Sequence, residues 1–281
     1  MMTRIHKRSL KFNSTLSQFD MTTFKRMLIF FAFFVVLVQS AFAQASNEAT
    51  SGTKATIEPR YLYNLPTAGM LRRGTYAVEG WFFAGGGAMS TVSVGLSERF
   101  TFGISYGAGN LIGSGNPNWN PLPGVMARYR LIDEELQAPA VTIGFESQGR
   151  GNFISGIDRY ERKSPGFFVA ATKNFEFLGF LSLTGGVNYS LERKDDGGLN
   201  FYIGAEKTIG KEVSIYAQYD FGLNDNKPQA LGDGNGFLDV GVRVSLGVGL
   251  MIELNLTNLN DNFKNIPAVS RSVRIEYVNA F

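Results

Sequence analysis

Phe100-Thr-Phe-Gly-Ile-Ser-Tyr106 and Val213-Ser-Ile-Tyr-Ala-Gln-Tyr-Asp-Phe221 are written in a two-residue beat. In the first stretch Phe100, Phe102, Ile104 and Tyr106 alternate with Arg99, Thr101, Gly103 and Ser105. In the second, Val213, Ile215, Ala217, Tyr219 and Phe221 alternate with Ser214, Tyr216, Gln218 and Asp220. Period-two alternation puts one set on each face of a strand. One face here is apolar and aromatic; the other is rich in Gly, Ser, Thr and charge. The beat recurs about twelve times, which predicts an all-β fold, a transmembrane antiparallel up-and-down β-barrel of about 12 strands. A soluble β-sandwich or lipocalin-like barrel would use the same alternation with its greasy face inward. The aromatic-rich apolar faces favour the membrane form, whose lipid-facing band needs aromatics at both rims.

Working outward, strands are expected at about 74–84, 88–97, 99–108, 123–132, 139–148, 165–175, 179–191, 199–208, 212–222, 236–246, 248–257 and 270–281. Connections alternate in length. Short turns fall at Ser97-Glu98, Gly210-Lys211 and near Gly247, whereas 109–122, 149–164, 223–235 and 258–269 are long, with 85–87 and 192–198 shorter exceptions. That is the pattern of periplasmic turns and external loops. An even strand number puts both termini in the periplasm, and Phe281 supplies a terminal aromatic.

The amino-terminal region has a different grammar. Lys25 and Arg26 precede an unbroken apolar run from Met27 to Val38, and Ala41-Phe42-Ala43 is a small-x-small cleavage pattern. Residues 1–43 therefore read as a leader with a cleaved signal peptide, Met21 fitting as the true start, and Gln44 as the mature terminus. Residues 44–73, with Pro59, Pro66 and Gly69, read as a periplasmic amino-terminal arm able to tuck into the barrel mouth; 74–281 is the barrel. The whole chain has 27 basic and 24 acidic residues; the leader holds six and one of them, which leaves 21 and 23, a net charge of −2. The basic pI thus belongs to the leader, and nucleic acid is not an expected partner.

With the apolar registers turned to lipid, Glu79, Arg128, Arg130, Glu146, Glu206, Asp220, Asp239, Arg243, Glu253, Arg274 and Glu276 line the lumen. An Arg or Lys on the lipid side at the midplane would cost about 2–4 kcal/mol, so the inward placement is the cheaper one. Two readings of this set stay open. One is a salt-bridged network that closes the barrel; the other is a narrow polar pore whose charges filter solutes.

Chemistry is limited by what is missing. The single histidine, His6, lies in the leader and there is no cysteine. A Ser-His-Asp triad, a cysteine nucleophile and a His or Cys zinc site are therefore excluded from the mature chain. No cofactor or metal is expected. Asp195-Asp196 and Glu134-Glu135 could form an acidic dyad on the rim, but such pairs are usually solvated turn charges. Gly107-Ala-Gly109 is not followed by a helix, and Asp233-Gly-Asn-Gly236 lacks the closing Glu of a calcium loop, so both read as hairpin loops. In the loop 109–122 and the two residues after it, to Gly124, Trp119 sits among four Asn and three Pro. It suits either stacking on a sugar ring or anchoring at the membrane interface.

Several segments carry a family resemblance: Pro66-Thr-Ala-Gly69, Ser93-Val-Gly-Leu-Ser-Glu-Arg-Phe100, Gly103-Ile-Ser-Tyr106, Asn110-Leu-Ile-Gly113, Arg128-Tyr-Arg-Leu131, Gly144-Phe-Glu-Ser-Gln-Gly149 and Gly186-Val-Asn-Tyr-Ser-Leu-Glu192. Together they resemble bacterial outer-membrane barrel proteins related to YjbH over most of 60–281. The resemblance implies an outer-membrane location and an association with exopolysaccharide production and export; it implies no catalytic residues. The expected function is a non-enzymatic outer-membrane barrel in exopolysaccharide or envelope export or assembly, acting as a scaffold or narrow conduit. A small-solute porin or channel is the alternative, and a rim hydrolase the third. Expected partners are outer-membrane lipid and lipopolysaccharide, the barrel assembly machinery, and polysaccharide or export components.

Overall fold

The computed structural model describes residues 58–209, 212–247, 249–264 and 269–281. The leader expected over 1–43 and the first part of the arm, 44–57, lie outside the described residues. Within them run β1 (Thr75–Phe83), β2 (Gly87–Ser97), β3 (Phe100–Gly109), β4 (Asn118–Trp119), β5 (Gly124–Ile132), β6 (Ala140–Glu146), β7 (Arg150–Ile154), β8 (Arg159–Arg162), β9 (Gly166–Glu176), β10 (Phe180–Tyr189), β11 (Leu199–Thr208), β12 (Val213–Asp220), β13 (Phe237–Gly247), β14 (Leu250–Thr257) and β15 (Ser270–Ala280). Each strand pairs antiparallel with its neighbour, and β1 pairs with both β2 and β15, so the sheet closes on itself. Setting aside β4, a short addition to β3, and the separate β7–β8 hairpin, the barrel has 12 strands. All twelve expected strands are present within a few residues of their expected ends.

The orientation follows the alternation. Val78, Phe82, Val92, Ile104, Phe167, Phe201, Ile215, Leu254 and Ile275 stand exposed on the outer face, while the residues between them are buried. Aromatics gather at the two ends of that face. Tyr76 packs on Tyr277 and Phe281 at the short-turn end, with ring centroids 6.3 and 5.2 Å away. Phe145 lies 4.9 Å from Phe167, and Tyr219 5.1 Å from Phe221, at the long-loop end. An apolar band between two aromatic girdles is the surface a bilayer requires, and a soluble barrel would have it inverted.

Two segments depart from their expected form. The long connection 147–165 is not plain loop: β7 and β8 pair through Phe153–Tyr160 and Ile154–Arg159. Residues 58–72 do not stop at the mouth. They form a hairpin, closed by Thr67 N–H to Arg60 O (3.0 Å) and Leu62 N–H to Leu65 O (3.2 Å), that fills the barrel interior.

Candidate functional site: a plugged lumen

The register brings the inward charges into rows. On β13, β14 and β15, Arg243, Glu253 and Arg274 lie directly opposite one another, so one carboxylate sits between two guanidinium groups. Arg243 Nε donates to Glu253 at 2.7 Å, Arg274 donates to the same carboxylate, and Arg243 also pairs with Glu206. One strand over, the register sets Glu79 on β1 opposite Glu276 on β15. Like charges directly opposite on neighbouring strands repel. The wall does not resolve this alone, since Arg274 reaches Glu79 only at 3.9 Å.

The plug resolves it. Arg60 Nη2 contacts Glu79 (2.5 Å) and Glu276 together, and its Nη1 donates to Ser93. The hairpin backbone is then satisfied by the wall almost residue by residue. Gln218 Oε1 accepts from the N–H groups of Tyr63 (2.9 Å), Asn64 (3.3 Å) and Leu65 (3.4 Å) at the tip. Thr172 Oγ1 accepts from Ala68 N–H at 2.9 Å, and Thr101 Oγ1 from Leu71 N–H at 3.2 Å. Arg243 donates to Tyr61 O at 2.9 Å, and Tyr202 Oη to Pro66 O at 2.9 Å. A buried segment with no sheet partners of its own needs such a set of donors and acceptors.

Shape matches as well. Tyr63 packs edge-on to Trp81 at 5.2 Å, in a cluster with Leu62, Met89 and Tyr216. Gly204 on the wall lies under Leu62, and Gly95 under the carbonyl of Arg72; a Cβ at either position would collide. The Gly-rich inner registers thus make room for a second layer of chain.

The long-loop end is closed by the β7–β8 hairpin and its neighbours. Arg150 lies 4.7 Å over the Trp81 ring and 3.3 Å from Glu146. Arg162 lies 3.8 Å over Phe237, pairs with Asp239 at 2.7 Å and reaches Asn64 of the plug at 3.3 Å. Arg159, fully buried, binds Asp195 at 2.6 Å and Asp225, tying three loops together. Lys163 adds a 2.9 Å pair to Asp195, and Lys227 one of 2.9 Å to Asp196. Burial pushes the carboxyls of Asp195 and Asp196 up, but these cations, with backbone N–H donors on Asp196, outweigh it and hold both below the usual carboxylate range. Burial raises Glu192 above that range, although it accepts from the N–H groups of Tyr160 and Ser164.

Every inward residue predicted from the sequence now has a place. Arg128, Arg130, Glu146, Asp239, Arg243, Glu253, Arg274 and Glu276 are buried, and Glu206 and Asp220 are half-buried, Asp220 holding Asn200 at 2.7 Å. Arg128 is the unusual member: it stacks between Tyr61 (4.2 Å) and Phe168 (5.3 Å) and donates only to plug carbonyls. The Asp195-Asp196 pair corrects the expectation of solvated turn charges, because both are buried clamps held by cations. Glu134 likewise binds Asn174, while Glu135 is exposed. Trp119 is 54% exposed on the outer face and stacks on Tyr106 at 5.7 Å. The sequence reading missed Arg60, Gln218, Trp81, Arg150, Arg159 and Arg162. Gln218 was visible on an inward register but carries no charge; the three loop arginines gave no signal beyond clustering.

Two hollows of about 780 and 540 Å³ open along the apolar outer registers, at Ile215, Val242 and Leu254 and at Tyr129, Ile143 and Phe167, whereas the voids on the inner side are small. The void bounded by Asn64, Arg162, Asn200 and Asp225 holds about 20 Å³, and the one beside Met89, Gln148 and Arg150 leaves none of water size. The larger admits about one water. Neither would pass a sugar.

No protein-family profile matches the sequence, and neither does any curated protein. Among solved structures the chain is similar to the KdgM porin, at 11% identity over 74% of this chain and 99% of that one, with a TM-score of 0.46. It is similar to the NanC porin at 10% identity, 73% and 99% coverage and a TM-score of 0.40. An outer-membrane channel of Pseudomonas putida F1 gives 12% identity, 80% and 100% coverage and 0.37. At TM-scores below 0.5 these likenesses carry no function over to this chain.

Proposed function

We propose that this chain is a non-enzymatic barrel of the bacterial outer membrane, a narrow conduit held shut by its own amino-terminal hairpin. The observation that carries the reading is Arg60, which supplies from the plug the close counter-charge to the opposed pair Glu79–Glu276, whose wall cation Arg274 comes only within 3.9 Å of Glu79. Both feet of the hairpin lie at the short-turn end, where Gly74 N–H bonds Gly95 O and Phe281 N–H bonds Gly74 O. On the usual orientation that end is periplasmic, so the plug can be drawn out by what grips the chain before residue 58. The outer apolar band and its girdles support the outer-membrane location, with lipid and lipopolysaccharide around it. Trp119, stacked on Tyr106 in the outer girdle, serves as an interface anchor in this reading. The resemblance to YjbH-related proteins supports exopolysaccharide or envelope export as the process served.

The test is conductance of residues 44–281 in planar bilayers. The wild-type chain is expected to be silent, and Arg60→Ala to open in discrete steps. Steady large wild-type currents would replace this reading with a small-solute porin. A strain lacking the chain is expected to secrete less polysaccharide; unchanged secretion would remove the export role.

A further inference from the structure

The wall patch built by Arg128, Arg130 and Thr142 has a feature that the other inward arginines do not share. Arg150, Arg162, Arg243 and Arg274 are each paired with a carboxylate on a barrel strand: Glu146, Asp239, Glu206 and Glu253. Arg128 has no carboxylate partner among the described residues, and its Nε and Nη2 are buried without any acceptor. Arg130 reaches Asp133 of the adjoining turn only at 3.8 Å, and takes its close carboxylate, Glu58 at 2.7 Å, from the plug.

Both arginines point inward from β5, two residues and so about 6.6–6.8 Å apart along the strand. The register places the hydroxyl of Thr101 beside Arg128 and that of Thr142 beside Arg130. What occupies this patch is all from the hairpin. Arg130 Nη2 holds Glu58 and also Ala68 O (2.8 Å); Thr142 Oγ1 donates to Ala68 O (2.8 Å); Arg128 Nη1 donates to Arg60 O (2.7 Å). The Phe168 ring, part of the wall, lies against Arg128. Guanidinium forks suit carboxylates, neighbouring hydroxyls suit sugar hydroxyls, and an aromatic face suits a pyranose ring.

Resting on the gate reading above, we infer that this patch is a binding site for the carboxylate groups of an acidic saccharide, and that Glu58 with the carbonyls of Arg60 and Ala68 stands in for that ligand while the barrel is shut. Withdrawal of the hairpin strips Arg128 and Arg130 of these partners together, leaving a cationic patch on β5, three strands from Glu79 and four from Glu276, which lose Arg60 in the same step. Opening and ligand capture are therefore one exchange.

The test uses the full mature chain carrying Arg60→Glu, which sets a third carboxylate against Glu79 and Glu276 and drives the hairpin out. Arg60→Ala serves where that variant does not refold. Its current should be blocked by oligogalacturonate at a concentration at least about tenfold below that needed for neutral maltohexaose. Adding Arg128→Gln and Arg130→Gln should raise the oligogalacturonate concentration about tenfold and leave maltohexaose block where it was. Equal block by the two sugars, or block by oligoglutamate as strong as by oligogalacturonate, would overturn the saccharide site while the gate stands. Silence of both Arg60 variants would overturn the gate and the site with it.

Discussion

Arg60 satisfies two carboxylates at once, and its removal should show in both the plug and the wall. Breaking a buried ion pair by deleting one partner costs about 3–5 kcal/mol, because the other charge stays buried. Arg60→Ala should therefore expose the hairpin to protease in the folded barrel, and adding Glu79→Gln should restore part of the protection by relieving the Glu79–Glu276 opposition. Unchanged protection in Arg60→Ala would mean that the hairpin is held by packing alone, and no recovery in the double variant that the Glu79–Glu276 opposition is not what drives it out. Gln218 acts differently: its Oε1 takes three backbone N–H groups at the tip. Gln218→Ala leaves buried donors unmet at about 1–3 kcal/mol each, and hydrogen exchange at Tyr63–Leu65 should accelerate by more than about tenfold. Gly204→Val should displace Leu62 and loosen the same tip without touching a hydrogen bond. These residues were legible only in part. The inward register of Gln218 and Glu79 could be read from alternation, but that Glu79 opposes Glu276 depends on the pairing of the first and last barrel strands.

At the scale of elements, the twelve strands were readable because each writes its own period-two pattern, and closure needs nothing more than repetition. The β7–β8 hairpin was not, since its short strands carry no such alternation and its hold comes from Arg159, whose partners Asp195 and Asp225 lie in two other loops. The same distance hid the burial of Asp195 and Asp196. Both carboxyls are held below their ordinary value in the folded protein. In the intermediate range the unfolded chain binds more protons than the folded one, so their contribution is whole above about pH 4 and is lost as pH falls through the depressed folded values. Limited proteolysis between Arg150 and Arg162 should accordingly rise as pH falls below about 4. Arg159→Ala should give high cleavage above that pH as well; an unchanged profile would show that the loops are not clamped by this network.

Over the whole molecule, two layers of chain divide the work. The outer layer presents an apolar band between aromatic girdles, and on the proposed anchor role Trp119→Ala should weaken retention in bilayers only slightly. The inner layer is the hairpin of residues 58–72, and its sequence, with two prolines and no alternation, announces a connector rather than a plug. Its position follows from complementarity with a wall that exists only after the barrel closes. The most direct test uses the absence of native cysteine: a single Leu65→Cys thiol at the buried hairpin tip is probed with a bulky maleimide on the folded barrel in detergent. The plugged barrel predicts no labelling until the protein is unfolded, and prompt labelling once Arg60→Glu is added. Labelling of the folded Leu65→Cys chain as fast as of the unfolded one would place the hairpin outside the lumen and contradict the account.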